Sequence, residues 1–281
     1  MHVRTTFPVT LALWTGIVVS LAGRAACQLP DPQPTGSHWL VAGPEEVVGW
    51  FTFDPAGVTD RLPEYLRFVT VGELASSGIR WAVDYLAHHK AHAGWGVSFL
   101  EIVRADTFAI EGRKPTWPER GAAAVWFARV LPKAGTPDLG PGLPLLMLEF
   151  WIPDSAYVLF MHQRGHYSTY ADVRLARHGD RWEGSINGPE FTIRVGCTPG
   201  TPESGGPNSS GSQVLIPPRG SGLTTVIPIS FAGHRERICA EPSSWTIEGR
   251  HPLRAAVAVE SASFQYGYRL SGAPISHAPQ P

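Results

Sequence analysis

Residues 168–184 read STYADVRLARHGDRWEG, and the fold turns on this stretch. From Ala171 to Cys197 the chain reads as two or three strands joined by tight turns. His178-Gly179-Asp180 and Asn187-Gly188 supply the turn residues. The same pattern continues on both sides. Upstream, strand candidates are VSFLEIVRADTFAIEG (97–112), AAAVWFARVLP (122–132), LPLLMLEFWIPD (143–154) and AYVLFMHQ (156–163). Downstream they are GLTTVIPISFAG (222–233), HRERICAE (234–241), SWTIEG (244–249) and AAVAVESASFQYGYRL (255–270). A short apolar run at 38–53 precedes them. Asp54 is a helix N-cap candidate, with Pro55 at the first helical position. Residues 71–92 read as one helix, with Ile79, Val83 and Leu86 at helical spacing and Gly94 as its stop.

Composition agrees with a β-rich chain. Gly 30 and Pro 26 imply many turns, and Trp 10 suits an aromatic interior or ligand cavity. The hydrophobic fraction of 43% is enough for a full core. The net charge of -1 offers no basic excess for phosphates, which argues against a nucleic-acid partner. The expected fold is mixed and β-dominated (α+β), a closed or half-closed antiparallel barrel-like sheet around a cavity, with an early helical segment.

The N-terminus reads as a secretory signal. His2 and Arg4 lead into an apolar stretch over 7–23, and Gly23 and Ala25 are small residues at the positions signal peptidase reads. Cleavage is expected after Ala25, with Cys27 as the alternative site and a membrane anchor as the alternative role. The expected organisation is a signal peptide 1–25, a Pro-rich linker 26–37, one domain 38–272 and a flexible tail 273–281. The destination is secreted, extracellular or periplasmic, with no membrane association after cleavage. Export leaves Cys197 and Cys239 in an oxidising compartment, where they either pair or remain two buried thiols. Asn208-Ser209-Ser210 is a glycosylation acceptor in a eukaryotic host.

The segment 168–184 resembles the acetoacetate decarboxylase superfamily. Ala171-Asp172-Val173 matches that family's "AD(V/I)", and the Gly179-Asp180 turn follows it. The upstream order is similar too, with DYLAHH (84–89) leading into GWGVSFLEIVRADTFAIEG (94–112) and then VWFARV (125–130). The resemblance covers about residues 50–270. It implies a pocket enclosed by mixed β structure, and a lysine that forms a Schiff base with a β-keto acid. Such a lysine needs a lowered pKa, from desolvation and a neighbouring positive charge. Here the chain departs from the pattern. The lysine pair should stand immediately before the residue preceding "AD", where Ser168 and Thr169 precede Tyr170. The lysines of this chain are Lys90, Lys114 and Lys133. The resemblance therefore implies a pocket without imine chemistry.

Three groups are site candidates. His88, His89, Lys90 and His92 form a polar cluster in which Asp84, His88 and His92 are spaced i, i+4, i+8. Zinc could use such a face, but no glutamate stands between the histidines, and a polar helix end favoured by the helix dipole explains the cluster as well. No metal is expected there. The second group follows an apolar strand: Arg164, His166, Ser168, Thr169 and Tyr170, with His166 as a general base and Arg164 as a carboxylate anchor. The third is Glu101, Arg104 and Glu149. Glu101 and Arg104 fall on opposite faces of a strand, so only one faces a cavity. Glu149 lies in a strongly apolar strand and must be paired if buried.

Glu149 and His166 are thus the catalytic candidates. Arg104, Arg164, Ser168, Thr169 and Tyr170 are the substrate-binding candidates. No cofactor is expected. No G-x-S-x-G, phosphate loop or dinucleotide glycine motif occurs. Two functions remain: a secreted protein acting on or binding a small keto-acid or polyketide-like compound, as a lyase-like acid–base catalyst if an enzyme, or a non-catalytic small-molecule-binding β-barrel.

Overall fold

The computed structural model describes residues 39–42, 45–110, 121–134, 143–163, 167–204, 212–216, 225–229, 234–256, 263–269 and 275–276. The signal segment 1–25, the linker 26–37, Lys114, Arg164, His166, Asn208 and most of the tail lie outside them.

The chain is β-dominated. The strands are β1 (Trp39–Ala42), β2 (Glu45–Phe53), β3 (Leu66–Phe68), β4 (Gly96–Arg104), β5 (Thr107–Ile110), β6 (Ala122–Pro132), β7 (Leu143–Ile152), β8 (Ser168–Tyr170) and β9 (Asp172–His178). They continue as β10 (Arg181–Asn187), β11 (Phe191–Ser204), β12 (Ser212–Ile216), β13 (Thr225–Ile229), β14 (His234–Gly249), β15 (Ser263–Arg269) and β16 (Ile275–Ser276). The helices are α1 (Val71–Ser76), α2 (Arg80–His88), α3 (Ser155–Gln163) and α4 (Pro252–Ala256), with 3-10 helices at Pro55–Arg61 and Lys90–Gly94.

A small sheet has the order β16-β1-β5. The main sheet runs β13-β12-β7-β6-β4-β2-β15-β14-β11-β10-β9, with β3 paired to β6 and β8 to β7. This is an open path, and no ring closure is present among the described residues. The sheet bends back on itself, so that β9 packs across β4, β6 and β7. One core lies between the two limbs and contains Leu100, Ile102, Trp126 and Leu148 from one side with Val173, Trp182, Ile186 and Ile193 from the other. A second core forms on the outer face, where Phe99, Phe127, Met147 and Phe150 meet Tyr157, Phe160 and Met161 of α3. β4, β6 and β7 are therefore apolar on both faces, which is why they read as continuous hydrophobic runs. At Gly184 the limbs touch so closely that an added Cβ would stand 2.8 Å from Ile102 Cδ1.

Several local expectations hold. Asp54 caps the 3-10 helix Pro55–Arg61 by accepting from the Ala56 N–H at 3.0 Å. Gly179 takes φ 62° in the β9–β10 hairpin, in the left-handed region that glycine enters freely. Cys197 and Cys239 form a disulfide that ties β11 to β14, where the ladder between these strands shifts register. The apolar stretch 7–23 lies outside the described residues, among which no helix is long and apolar enough to cross a membrane.

Three expectations are corrected. The main sheet is not wholly antiparallel, because β12 and β8 both pair with β7 in parallel. The segment 156–163 belongs to helix α3 and is not a strand. Asp154 starts it by accepting from the Tyr157 N–H at 2.9 Å, and Tyr157, Phe160 and Met161 form its buried face at i, i+3, i+4 spacing. The segment 71–92 is not one helix. Gly78, at φ 78°, separates α1 from α2, and α2 ends at His88.

Candidate active site

The break after α2 decides the histidine cluster. The helical line through Asp84, His88 and His92 does not persist, because His92 lies on the following 3-10 helix. Among the described residues, no three His, Cys, Asp or Glu side chains are grouped as a metal would require. The histidines instead build a stack. His89 lies on Tyr85 with ring centroids 4.5 Å apart, and His92 lies on Trp95 at 3.7 Å. Buried Thr52 donates to the Tyr85 hydroxyl at 3.1 Å, which in turn bonds His92 Nδ1 at 2.6 Å. The cluster therefore fastens the helical segment to β2. Lys90 is exposed beside it.

Glu149 sits elsewhere, in the core between the limbs. Along β7, Leu146 faces this inner core while Leu145 and Met147 face the outer one. Strict alternation would send residue 149 outward with 145 and 147. The ladder to β6 shifts register there, however: Phe127 pairs with Met147 but Trp126 pairs with Glu149. Leu148 is the extra residue of this bulge. Such bulges re-aim side chains, and this one directs Glu149 inward.

Glu149 is 6% exposed and holds three donors. Arg61 NH1 reaches Oε2 at 2.9 Å and also donates to the bulge carbonyl of Leu148 at 2.8 Å. His251 Nε2 reaches Oε2 at 3.2 Å, and Thr169 Oγ1 donates to Oε1 at 2.7 Å. Burial pushes the carboxyl upward. The His251 hydrogen bond and the charge that ring carries when protonated, then the Arg61 guanidinium and the Thr169 hydroxyl, outweigh it and hold the group at about 2. Glu149 is thus an ionised acceptor at neutral pH.

Each partner arrives on a different element. Arg61 ends the 3-10 helix Pro55–Arg61, its side chain is 16% exposed, and its guanidinium carbon lies 5.3 Å from the Tyr167 ring centroid. Only Nη1, which carries two of its five N–H donors, is engaged among the described residues. His251 follows β14 and is enclosed by the rings of Phe191, Trp151 and Trp126 at 4.5, 5.5 and 6.3 Å. The fully buried Trp151 carries an indole N–H with no acceptor among the described residues. A polar atom in that position needs an explanation, and a bound molecule or water would supply one.

The remaining candidates divide. Ser168 and Thr169 are buried and half-buried and point to opposite sides of β8. Ser168 contacts the Val158 carbonyl of α3 at 3.4 Å, while its own carbonyl bonds His162 Nε2 at 2.5 Å. Tyr170 is 47% exposed. Glu101 and Arg104 lie on opposite faces of β4, and Arg104 is on the inner face. It pairs with Glu45, to which Nε donates at 3.1 Å, and lies 5.0 Å over the Trp182 ring. Arg104 sits four residues along β4 from the row Leu100–Trp126–Glu149. That is roughly 13 Å at strand rise, so Arg104 does not join Glu149. Of the lysines, Lys90 and Lys133 are exposed.

An acetoacetate decarboxylase-like enzyme from Sphingomonas wittichii RW1 is 12% identical, over 92% of this chain and 100% of its own, with a TM-score of 0.47. The enduracididine biosynthesis enzyme MppR with HEPES buffer bound is 11% identical over 93% of this chain and 96% of its own, with a TM-score of 0.52. MppR complexed with pyruvate is 10% identical over 91% and 99%, with a TM-score of 0.50. The chain shares the fold of the two MppR structures, which is an acetoacetate decarboxylase-like fold. At these identities the likeness is one of fold and assigns no residue a role. No protein-family model matches the sequence, and no curated protein matches it.

Of the four side chains that meet here within the acetoacetate decarboxylase-like fold, the sequence pointed to Glu149 and Thr169 and not to Arg61 or His251. These lie 88 and 102 residues from Glu149. The Asp54 cap marked the helix that carries Arg61, yet nothing local marks its last residue as a ligand of Glu149. His251 stands alone in GRHPLR (249–254), with no motif around it.

Proposed function

We propose that this is an exported protein that binds a small keto acid in the core between the limbs of its sheet, without forming an imine. The observation that carries the proposal is Thr169. The resemblance in sequence expects a lysine pair at 168–169, and there Thr169 donates its proton to a buried carboxylate already held by Arg61 and His251. A hydroxyl has no amine nitrogen and forms no imine. The two described lysines, Lys90 and Lys133, are exposed, outside the buried core that holds Glu149.

Binding has its own support. Among the described residues, Arg61 keeps donors free beside Tyr167, and Trp151 presents a buried N–H without an acceptor. An oxo acid would offer its carboxylate to Arg61, and its carbonyl oxygen suits an N–H donor. The bent sheet, with β9 across β4, β6 and β7, supports a half-closed enclosure of that volume. The disulfide supports an oxidising compartment.

The convergence of Arg61, Glu149, Thr169 and His251 favours a second reading, an acid–base enzyme. A carboxylate held near 2 is a poor base at neutral pH. In that reading Glu149 orients its neighbours and does not itself take the proton.

Titration calorimetry with a panel of 2-oxo and 3-oxo acids tests the proposal. Saturable binding of at least one member is expected, weakened about tenfold or more in Arg61→Met, as loss of a charge-assisted contact predicts. Thr169→Val serves as a second variant, since it leaves the ion pair in place. Absence of binding by every member, or unchanged affinity in both variants, would overturn it.

A further inference from the structure

We infer that His251 is the positioning residue of Glu149, and that it acts as a neutral imidazole whose tautomer is fixed by the main chain. The inference goes beyond keto-acid binding and does not depend on which compound the site takes.

Two contacts define the ring. The Leu253 N–H points at His251 Nδ1 at 3.1 Å. A backbone N–H only donates, so Nδ1 must accept and carries no proton. The proton is then on Nε2, which donates to Glu149 Oε2 at 3.2 Å. An imidazolium would set an Nδ1–H against the Leu253 N–H. The ring cannot easily turn to avoid this, since its side chain is 5% exposed and lies among Phe191, Trp151 and Trp126. Leu253, which supplies the fixing N–H, is itself fully buried. The groups facing Glu149 among the described residues are Arg61 from the 3-10 helix, His251 from the segment before α4 and Thr169 from β8. Arg61 supplies the countercharge. His251 supplies direction: it shares Oε2 with Arg61 and leaves Oε1 to Thr169.

Histidine substitutions separate the two nitrogens, because a glutamine amide nitrogen reaches about as far as Nε2 and an asparagine amide about as far as Nδ1. The readouts are the carboxyl titration of Glu149 by 13C NMR, assigned with Glu149→Gln, and the 15N signals of His251. His251→Gln is expected to keep the Glu149 midpoint near that of the wild type. His251→Asn and His251→Leu are expected to raise it by about one pH unit or more, the scale of one lost hydrogen bond to a charge. If the leucine variant does not fold, the Gln/Asn pair still decides. At pH 7 the wild-type ring should show Nε2 protonated and Nδ1 bare. An imidazolium pattern, the opposite tautomer, or glutamine and asparagine variants that behave alike or in reversed order would overturn the inference.

Discussion

Glu149 shows how far a single residue can be read and where reading stops. A carboxylate inside LLMLEFWI (145–152) must be paired if it is buried, and it is paired three times over. Its direction was not legible. Alternation places residue 149 on the outer face, and only the bulge at Leu148 turns it inward. Its depressed pKa makes acid stability a test. A carboxyl with an unfolded pKa near 4.5 and a folded value of about 2 contributes fully above the unfolded value and loses that contribution as pH falls through the folded one. The contribution is on the order of 3 kcal/mol. Urea unfolding between pH 5 and pH 2 should show the wild type losing that much more stability than Glu149→Gln, whose side chain does not titrate. Equal losses in the two proteins would contradict the buried ion pair.

At the scale of elements, strands were easier to place than helix ends. The hairpin at Gly179 and the cap at Asp54 were legible because each rests on one residue's local geometry. α3 was not. Its apolar residues are spread around the helix, with Leu159 59% exposed, so no helical stripe stands out from a strand-like run. The histidine line failed for the complementary reason: α2 stops at His88, and periodicity alone gives no stop before Gly94.

The element that delivers His251 depends on a glycine. Gly249 ends β14 at φ 82°, where an added Cβ would stand 2.1 Å from the Glu190 carbonyl oxygen. The next residue's N–H bonds that same oxygen at 2.8 Å. Gly249→Ala therefore carries backbone strain and a backbone clash together, at a cost of about 1–3 kcal/mol. Thermal melts should register that loss, and oxo-acid affinity should fall with it because His251 is displaced. An unchanged melting temperature would show that the turn tolerates a side chain.

At the scale of the molecule, class was legible and closure was not. Two-faced apolar strands, frequent turns and the order of segments around 168–184 give the β-dominated acetoacetate decarboxylase-like fold. Which strands sit side by side is set by pairings such as β15 with β2 and β12 with β7, which join distant parts of the chain and leave no local trace. The site has the same character, since Arg61, Glu149 and Thr169 come from three separate elements and His251 from the turn between β14 and α4. Sequence alone offered the departure at 168–169, and the fold gives it meaning by setting Thr169 against Glu149.

The central claim, a keto-acid site without an imine, has a direct test. The protein is incubated with each oxo acid that binds it, treated with borohydride and weighed intact by mass spectrometry. An imine would be reduced to a stable secondary amine on a lysine. The account predicts the unmodified mass with every compound that binds. A borohydride-dependent adduct on Lys90, Lys114 or Lys133 would contradict it.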